Sequence, residues 1–206
     1  PAVTALENYK IKPTFIEAHR LAAFNLRGTD VAVVLDLMIH DIDLVLMLVK
    51  SKIADIQASA VTVISEQVDI ANARLTFENG AVANLTASRI SLKPMRKLRI
   101  FQQSSYFSLD LAEKQADIYR LAEPDEKADG IRIPLGKSDR ELIYLKKEKS
   151  GYDMLETELA AFLKAITENK PVTVSVEQAD RALQVALKIE QIGINSLNRM
   201  LGTEST

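Results

Sequence analysis

Val68-Asp-Ile-Ala-Asn-Ala-Arg-Leu-Thr-Phe77, Glu78-Asn-Gly80 and Ala81-Val-Ala-Asn-Leu-Thr-Ala-Ser-Arg-Ile90 read as two strands and the turn between them. Asn79-Gly80 is the strongest two-residue hairpin signal in the chain, because both residues tolerate the positive φ that such a turn demands. A two-residue turn sets Phe77, Leu75 and Ala73 opposite Val82, Asn84 and Thr86 on one face. It sets Thr76, Arg74 and Asn72 opposite Ala83, Leu85 and Ala87 on the other. Neither face is then cleanly polar. With helices on one side, the half-apolar other side is expected to meet a second protomer or domain.

Working outward, Ala2 to Lys10 reads as a short helix and Thr14 to Leu21 as a strand. Ala22 to Asp30 is a loop in which Gly28 is free to take positive φ. Residues 31–50 read as a mostly buried helix, and Ile53 to Ile64 as a strand. After the hairpin come strands over Arg96 to Ser105, Tyr106 to Ala112 and Gln115 to Leu121. Ile131 to Leu135 and Leu142 to Lys147 extend the sheet beyond the polar loop Asp125 to Gly130. Tyr152 to Glu168 is an amphipathic helix with Leu155, Leu159, Phe162, Leu163 and Ile166 on one face. Ser175-Val-Glu-Gln178 fits a capping box that opens the last long helix. Consecutive strands with short turns, and helices clustered at the ends of the chain, imply an α+β fold. Its largely antiparallel open sheet has about six or more strands, with helices packed on one face.

The 206 residues carry a net charge of −2, with basic and acidic residues interspersed. No field of one sign is present to hold a nucleic-acid backbone. The basic run Lys93-Pro-Met-Arg-Lys-Leu-Arg99 is too short to change that, although it could touch a phosphate on a small ligand. There is no cysteine, and with His19 and His40 as the two histidines a conventional zinc site is not expected. No apolar run reaches the ~18 residues of a membrane span, and no signal-peptide pattern is present, so a cytoplasmic setting is expected. The seven glycines never form G-x-G, so the chain has no dinucleotide fingerprint and no P-loop.

One group of residues carries chemistry. Within Leu35-Asp-Leu-Met-Ile-His-Asp-Ile-Asp-Leu-Val-Leu-Met-Leu-Val49, the polar residues Asp36, His40 and Asp43 stand at i, i+4 and i+7. At about 100° per residue they form one stripe on an otherwise apolar helix. Imidazole titrates near neutral pH, which suits proton transfer to or from an alcohol. Asp36, one turn earlier, is placed to orient the His40 ring. Asp41 falls about 100° off the stripe, so helix geometry alone makes it a surface residue. His19 and Arg20 on the first strand, with Arg27 in the Gly28 loop, could bind an anionic or hydroxyl-rich ligand. They read equally well as edge-strand polar residues.

The run Val34-Leu-Asp-Leu-Met-Ile-His-Asp-Ile-Asp-Leu-Val45 resembles the Asp-x-x-x-His motif of the Gfo/Idh/MocA oxidoreductases. The Glu78-Asn-Gly80 hairpin, the strand series, Pro171-Val172 and the Glu177-Gln-Ala-Asp-Arg-Ala182 helix agree with it. The resemblance covers essentially residues 1–206 and corresponds to the family's C-terminal domain alone. Many members have a small residue where this chain has Leu37-Met38. Glu17-Ala-His-Arg-Leu21 with Arg27-Gly-Thr-Asp30 is most similar to a subgroup acting on sugar nucleotides, UDP-N-acetylglucosamine in particular.

The resemblance implies that His40 is the catalytic acid/base and Asp36 its partner. It also implies an N-terminal Rossmann domain holding NAD or NADP, which these residues lack. The chain is therefore expected to be a fragment, with residues 1–12 leading in from that domain and 202–206 a frayed tail. Alone it is expected to be inactive, with no cofactor or metal bound. In the parent it would be the substrate-binding and dimerisation domain of an NAD(P)-dependent oxidoreductase of a sugar or sugar nucleotide. His19, Arg20, Arg27 and Asp43 would be its substrate contacts. It would assemble as a homodimer or homotetramer through the open sheet face. Two alternatives are a free-standing, non-catalytic dimerisation or ligand-binding module, and the same family acting on an inositol or biliverdin-like substrate.

Overall fold

The computed structural model describes residues 2–25, 30–123, 126, 129–136, 140–148 and 153–203. Arg27, Gly28, Tyr152 and the tail from 204 onward lie outside the described residues, as does part of the Asp125 to Gly130 loop. Nine strands form one sheet: β1 Phe15–Leu21, β2 Ile53–Val61, β3 Ile70–Phe77, β4 Val82–Ser88, β5 Met95–Gln102, β6 Ser105–Asp110, β7 Gln115–Leu121, β8 Ile131–Pro134 and β9 Glu141–Glu148. Their order is β2-β3-β4-β1-β5-β6-β7-β9-β8. All neighbours are antiparallel except β1 and β4: after β1 the chain crosses through the α1 segment to the edge strand β2, and β3 and β4 lead back to lie beside β1. The α+β reading with a largely antiparallel open sheet is borne out.

The N-terminal segment forms only a 3-10 turn, Thr4–Leu6, rather than the expected helix over Ala2 to Lys10. No side chain caps its start, and so short a segment does not offset the cost of nucleating an α-helix. Tyr9 still anchors the segment, edge-on to Phe107 at 5.5 Å between ring centroids. The helix expected over 31–50 opens with a π-helical turn, Val34–Met38, and continues as α1, Ile39–Val49. Lys50, at φ 52°, closes it in the left-handed conformation. Helix α2 spans Met154–Thr167 and is capped by Asp153, whose carboxylate accepts from the Leu155 and Glu156 amides. Helix α3, Val176–Leu201, begins at the Ser175/Gln178 capping box.

Helices α1 and α3 pack together on one face of the sheet, α3 running along β2. The approach is close at Gly193, where a Cβ would lie 2.8 Å from the Ala60 methyl. Ile16, Ala18, Leu75, Leu85, Leu98 and Ile100 of the sheet meet Val34, Met38, Ile42 and Val45 of the helix in the buried core. Helix α2 does not join them. Leu155, Leu159, Phe162, Leu163 and Ile166 are all more than half exposed, and Ala165 is the buried residue of α2 among the described residues.

The hairpin register differs from the two-residue expectation by one residue. Phe77 N–H donates to Ala81 O at 2.9 Å, and Gly80 N–H to Phe77 O at 2.9 Å. The loop is therefore three residues long, with Gly80 at φ 84°, the glycine position of a turn followed by a bulge. Arg74 now faces Asn84, and Leu75 faces Ala83. A one-residue shift sorts the side chains cleanly. Ala71, Ala73, Leu75 and Phe77 share the buried face with Ala83, Leu85 and Ala87. Asn72, Arg74 and Thr76 share the other with Val82, Asn84 and Thr86. The mixed-polarity argument for a partner surface at this hairpin therefore does not hold.

The β2–β3 loop is built around a buried carboxylate. Asp69 Oδ2 accepts from the amides of Val63, Ile64 and Ser65 at 2.8, 2.8 and 3.0 Å, and Oδ1 from the Ser65 hydroxyl at 2.6 Å. Burial pushes this carboxyl's pKa up. The Ser65 hydroxyl and the three amides outweigh burial and hold it well below the usual carboxylate range. The folded-state pKa is thus depressed, so the stabilisation is fully present above the unfolded value of about 3.9. It is lost as pH falls below that value toward the folded one. Between pH 6 and 3, unfolding free energy from urea melts is expected to fall more steeply for the wild type than for Asp69→Asn. Parallel acid profiles would contradict this.

Candidate active site

Alternation along β1 decides which of its residues can act together. Ile16, Ala18 and Arg20 point to the helix side and are buried, whereas Phe15, Glu17 and His19 point to the open face. His19 therefore stands on the opposite side of the sheet from His40, and the structure does not bring these two predicted site residues together. The same alternation divides the basic run on β5. Lys97 and Arg99 share the open face with His19 and Glu17 as cross-strand partners. There Lys97 meets Asp110 at 3.8 Å and Arg99 meets Glu17 at 3.3 Å. Arg96 lies directly across from Arg20 on the helix side.

Arg20 is buried against α1. Its Nε donates to Asp41 Oδ2 at 2.9 Å and its Nη2 to Oδ1 at 2.7 Å. This corrects the reading of Asp41 as a surface residue, since Asp41 is only 4% exposed and Arg20 only 9%. Off the stripe, Asp41 turns down toward the sheet, where a forked guanidinium satisfies both its oxygens.

A cavity of about 440 Å³ lies between the N-terminal segment and α1. Ala2, Val3, Arg20, His40, Asp43, Leu44, Arg96 and Leu111 line it. It thus gathers three of the six predicted site residues: His40, Asp43 and Arg20. Asp36 is not on its wall. That carboxylate is exposed and makes no hydrogen bond with His40 among the described residues. Asp36 sits within the π turn and His40 in the α-helix that follows, so the i, i+4 geometry of a continuous α-helix does not apply there. Asp43 is the acidic group whose charge His40 feels. Burial pushes the Asp43 carboxyl up, against the opposing pull of His40 and of Arg181 on α3. His40 itself is exposed at the cavity. Arg96, from the basic run that could touch a ligand phosphate, also lines the cavity, although it is not among those six. Its period-2 relation to Leu98 and Ile100 was the available signal.

A second concavity of about 680 Å³ lies between the loop after β1 and the β2–β3 loop. Phe24, Asp30, Val63, Ile64, Ser65, Glu66 and Gln67 line it, with no histidine or basic group among the described residues. It is larger, and its titratable side chains among the described residues are the carboxylates Asp30 and Glu66. No cluster of three or more metal-ligating side chains lies among the described residues, and no helix among them is long and apolar enough to cross a membrane. Among the described residues, no Gly-rich turn of the kind that cradles a dinucleotide lines the first cavity.

The fold and site define an open-faced α+β domain that presents an exposed histidine beside two arginines. Residues 19–104 match the family model of the GFO/IDH/MocA C-terminal domain. UDP-N-acetylglucosamine 3-dehydrogenase of Acidithiobacillus ferrooxidans is 38% identical over 178 residues, covering 86% of this chain and 53% of that protein. The solved structure of UDP-N-acetylglucosamine 3-dehydrogenase GnnA from the same organism has a TM-score of 0.82 at 33% identity, covering 96% of this chain and 59% of that one. Levoglucosan dehydrogenase in complex with NADH has a TM-score of 0.71 at 15% identity, over 95% of this chain and 60% of that one, which shows the shared fold alone. The chain belongs to the Gfo/Idh/MocA family, whose C-terminal domain it carries. It spans a little over half the length of these relatives.

Proposed function

We propose that this chain is the substrate-binding domain of an NAD(P)-dependent dehydrogenase that oxidises a secondary hydroxyl of a sugar nucleotide. UDP-N-acetylglucosamine is the first candidate substrate. The observation that carries the reading is the convergence of His40, Asp43, Arg20 and Arg96 on one cavity. His40 takes the hydroxyl proton as the carbinol carbon is oxidised, and returns it to solvent or to the product in the reverse direction. Asp43 stabilises the imidazolium formed in that step, and Asp36, at the outer edge of the π turn, is the alternative partner. Arg20, fixed by Asp41, lends its remaining N–H groups to the ligand. NAD or NADP, held by polypeptide outside these residues, supplies the hydride acceptor. The relative at 38% identity, a sugar-nucleotide dehydrogenase by name, supports the substrate class. The test is a panel of UDP-N-acetylglucosamine, UDP-glucose, free N-acetylglucosamine and myo-inositol with the full-length polypeptide. Turnover restricted to UDP-sugars upholds the reading, and preferential oxidation of the inositol moves the substrate to the competing class.

The open face of the sheet supports the second half of the reading, assembly as a cytoplasmic homodimer or homotetramer. Phe15, Phe101, Tyr106, Tyr119 and Tyr144 form one row across β1, β5, β6, β7 and β9, with neighbouring ring centroids 5.7, 4.8, 5.5 and 4.8 Å apart. No described helix covers that row. Five adjoining aromatic rings on a flat sheet are the composition of an interface core rather than of a solvated face. Light scattering at tens of micromolar is expected to give at least a dimer for the wild type and a monomer for Phe101→Glu/Tyr119→Glu. A wild-type monomer would remove the assembly from the proposal.

A further inference from the structure

We propose that Arg96 is the specificity-determining residue of the His40 cavity, binding the diphosphate of a sugar nucleotide and so selecting it over the free sugar. The inference rests on the sugar-nucleotide reading above and names the group that recognises the nucleotide's charge. Three observations carry it. Arg96 and Arg20 are cross-strand partners at the same end of β5 and β1, and both line the cavity. Arg20 already has its charge met by Asp41 through two hydrogen bonds. Arg96 is exposed and, among the described residues, makes no ion pair or side-chain hydrogen bond.

Its neighbours show that this is not the general state of the basic run. Lys97 and Arg99, one and three residues on, are turned to the other face, and each is matched by a carboxylate. The one carboxylate lining the cavity, Asp43, has His40 and Arg181 as its charged neighbours. Among the described residues, Arg96 is therefore the cation of this wall that no carboxylate pairs. Ala2, Val3, Leu44 and Leu111 add apolar groups to the same cavity, against which a sugar ring can pack. A guanidinium presents a planar fork that fits two phosphate oxygens at once. A diphosphate held there would place the attached sugar within the cavity that His40 lines.

The experiment compares full-length wild type with Arg96→Gln, Arg96→Lys and Lys188→Gln, the last a charge-matched change on α3 outside the cavity. Arg96→Gln is expected to raise KM for UDP-N-acetylglucosamine about 10–100-fold, with kcat held within about threefold. Arg96→Lys regains part of that loss, Lys188→Gln behaves as wild type, and KM for NAD stays unchanged. A rise in KM for NAD instead would assign Arg96 to the cofactor's diphosphate and overturn the proposal. An unchanged KM for UDP-N-acetylglucosamine in Arg96→Gln would overturn it while leaving the dehydrogenase reading intact. Calorimetric titration with UDP separates the two ideas further. UDP binding lost in Arg96→Gln, in a protein that oxidises no sugar nucleotide, upholds the diphosphate site and removes only the dehydrogenase reading. No UDP binding by the wild type, or equal binding by both proteins, overturns the site.

Discussion

Replacing His40 by Gln in the full-length polypeptide is expected to lower kcat with UDP-N-acetylglucosamine by about 10²–10⁴-fold, the usual contribution of a general acid/base. The substitution keeps the shape and polarity of the ring's edge but removes the proton acceptor. Folding should be untouched, because His40 is exposed and holds no hydrogen bond among the described residues. KM should move little, since the substrate's charge is met elsewhere in the cavity. The neighbouring positions give graded results. Asp43→Asn, which removes the carboxylate whose charge couples to His40, should cost less than His40→Gln. Asp36→Asn measures the alternative partner in the same assay. Near-normal turnover in His40→Gln would remove this histidine from the mechanism.

Cutting Asp41 back to Ala is expected to destabilise the fold by about 3–5 kcal/mol, the cost of leaving a buried charge without its partner. Arg20 keeps little solvent to replace the lost partner, because it is largely buried on the face of β1 that α1 covers. Urea melts of the single variant and of Arg20→Met/Asp41→Leu test the origin of the effect. The double change removes both charges and fills similar space, so it should recover most of the loss. A single-variant cost below about 1 kcal/mol would mean that the pair behaves as a solvated one. The two variants should part company in binding, since the apolar pair restores the fold but gives up Arg20's remaining donors in the cavity.

Both predictions turn on a distinction that local pattern does not make. The Asp36, His40 and Asp43 stripe is visible in sequence because helical spacing is a local property. Asp41's partner is 21 residues earlier on a strand, and only the packing of α1 over β1 brings Arg20 beneath it. The π turn is equally hidden, since nothing in Val34–Met38 departs from an ordinary apolar helix, yet it breaks the i, i+4 geometry between Asp36 and His40. The hairpin was legible as a hairpin from Asn79-Gly80. Its register was not, because the same glycine serves a two-residue turn or a three-residue turn with a bulge, and burial of seven apolar side chains on one face decides between them. His19 and Arg20 could be separated in advance by strand alternation alone. Which of the two faced the helices required knowing where α1 packs. Helix α2 was correctly seen as amphipathic, but amphipathicity does not name the surface that covers it.

The central claim is that this chain supplies the proton-transfer group and the substrate cavity of a sugar-nucleotide dehydrogenase. Its most direct test follows reduction of NAD and NADP by the full-length polypeptide with UDP-N-acetylglucosamine, wild type beside His40→Gln. The account predicts reduced cofactor forming with the wild type, and a rate lower by about 10²–10⁴-fold with the variant. Equal rates in the two proteins, or no cofactor reduction by the wild type with any UDP-sugar, would contradict it.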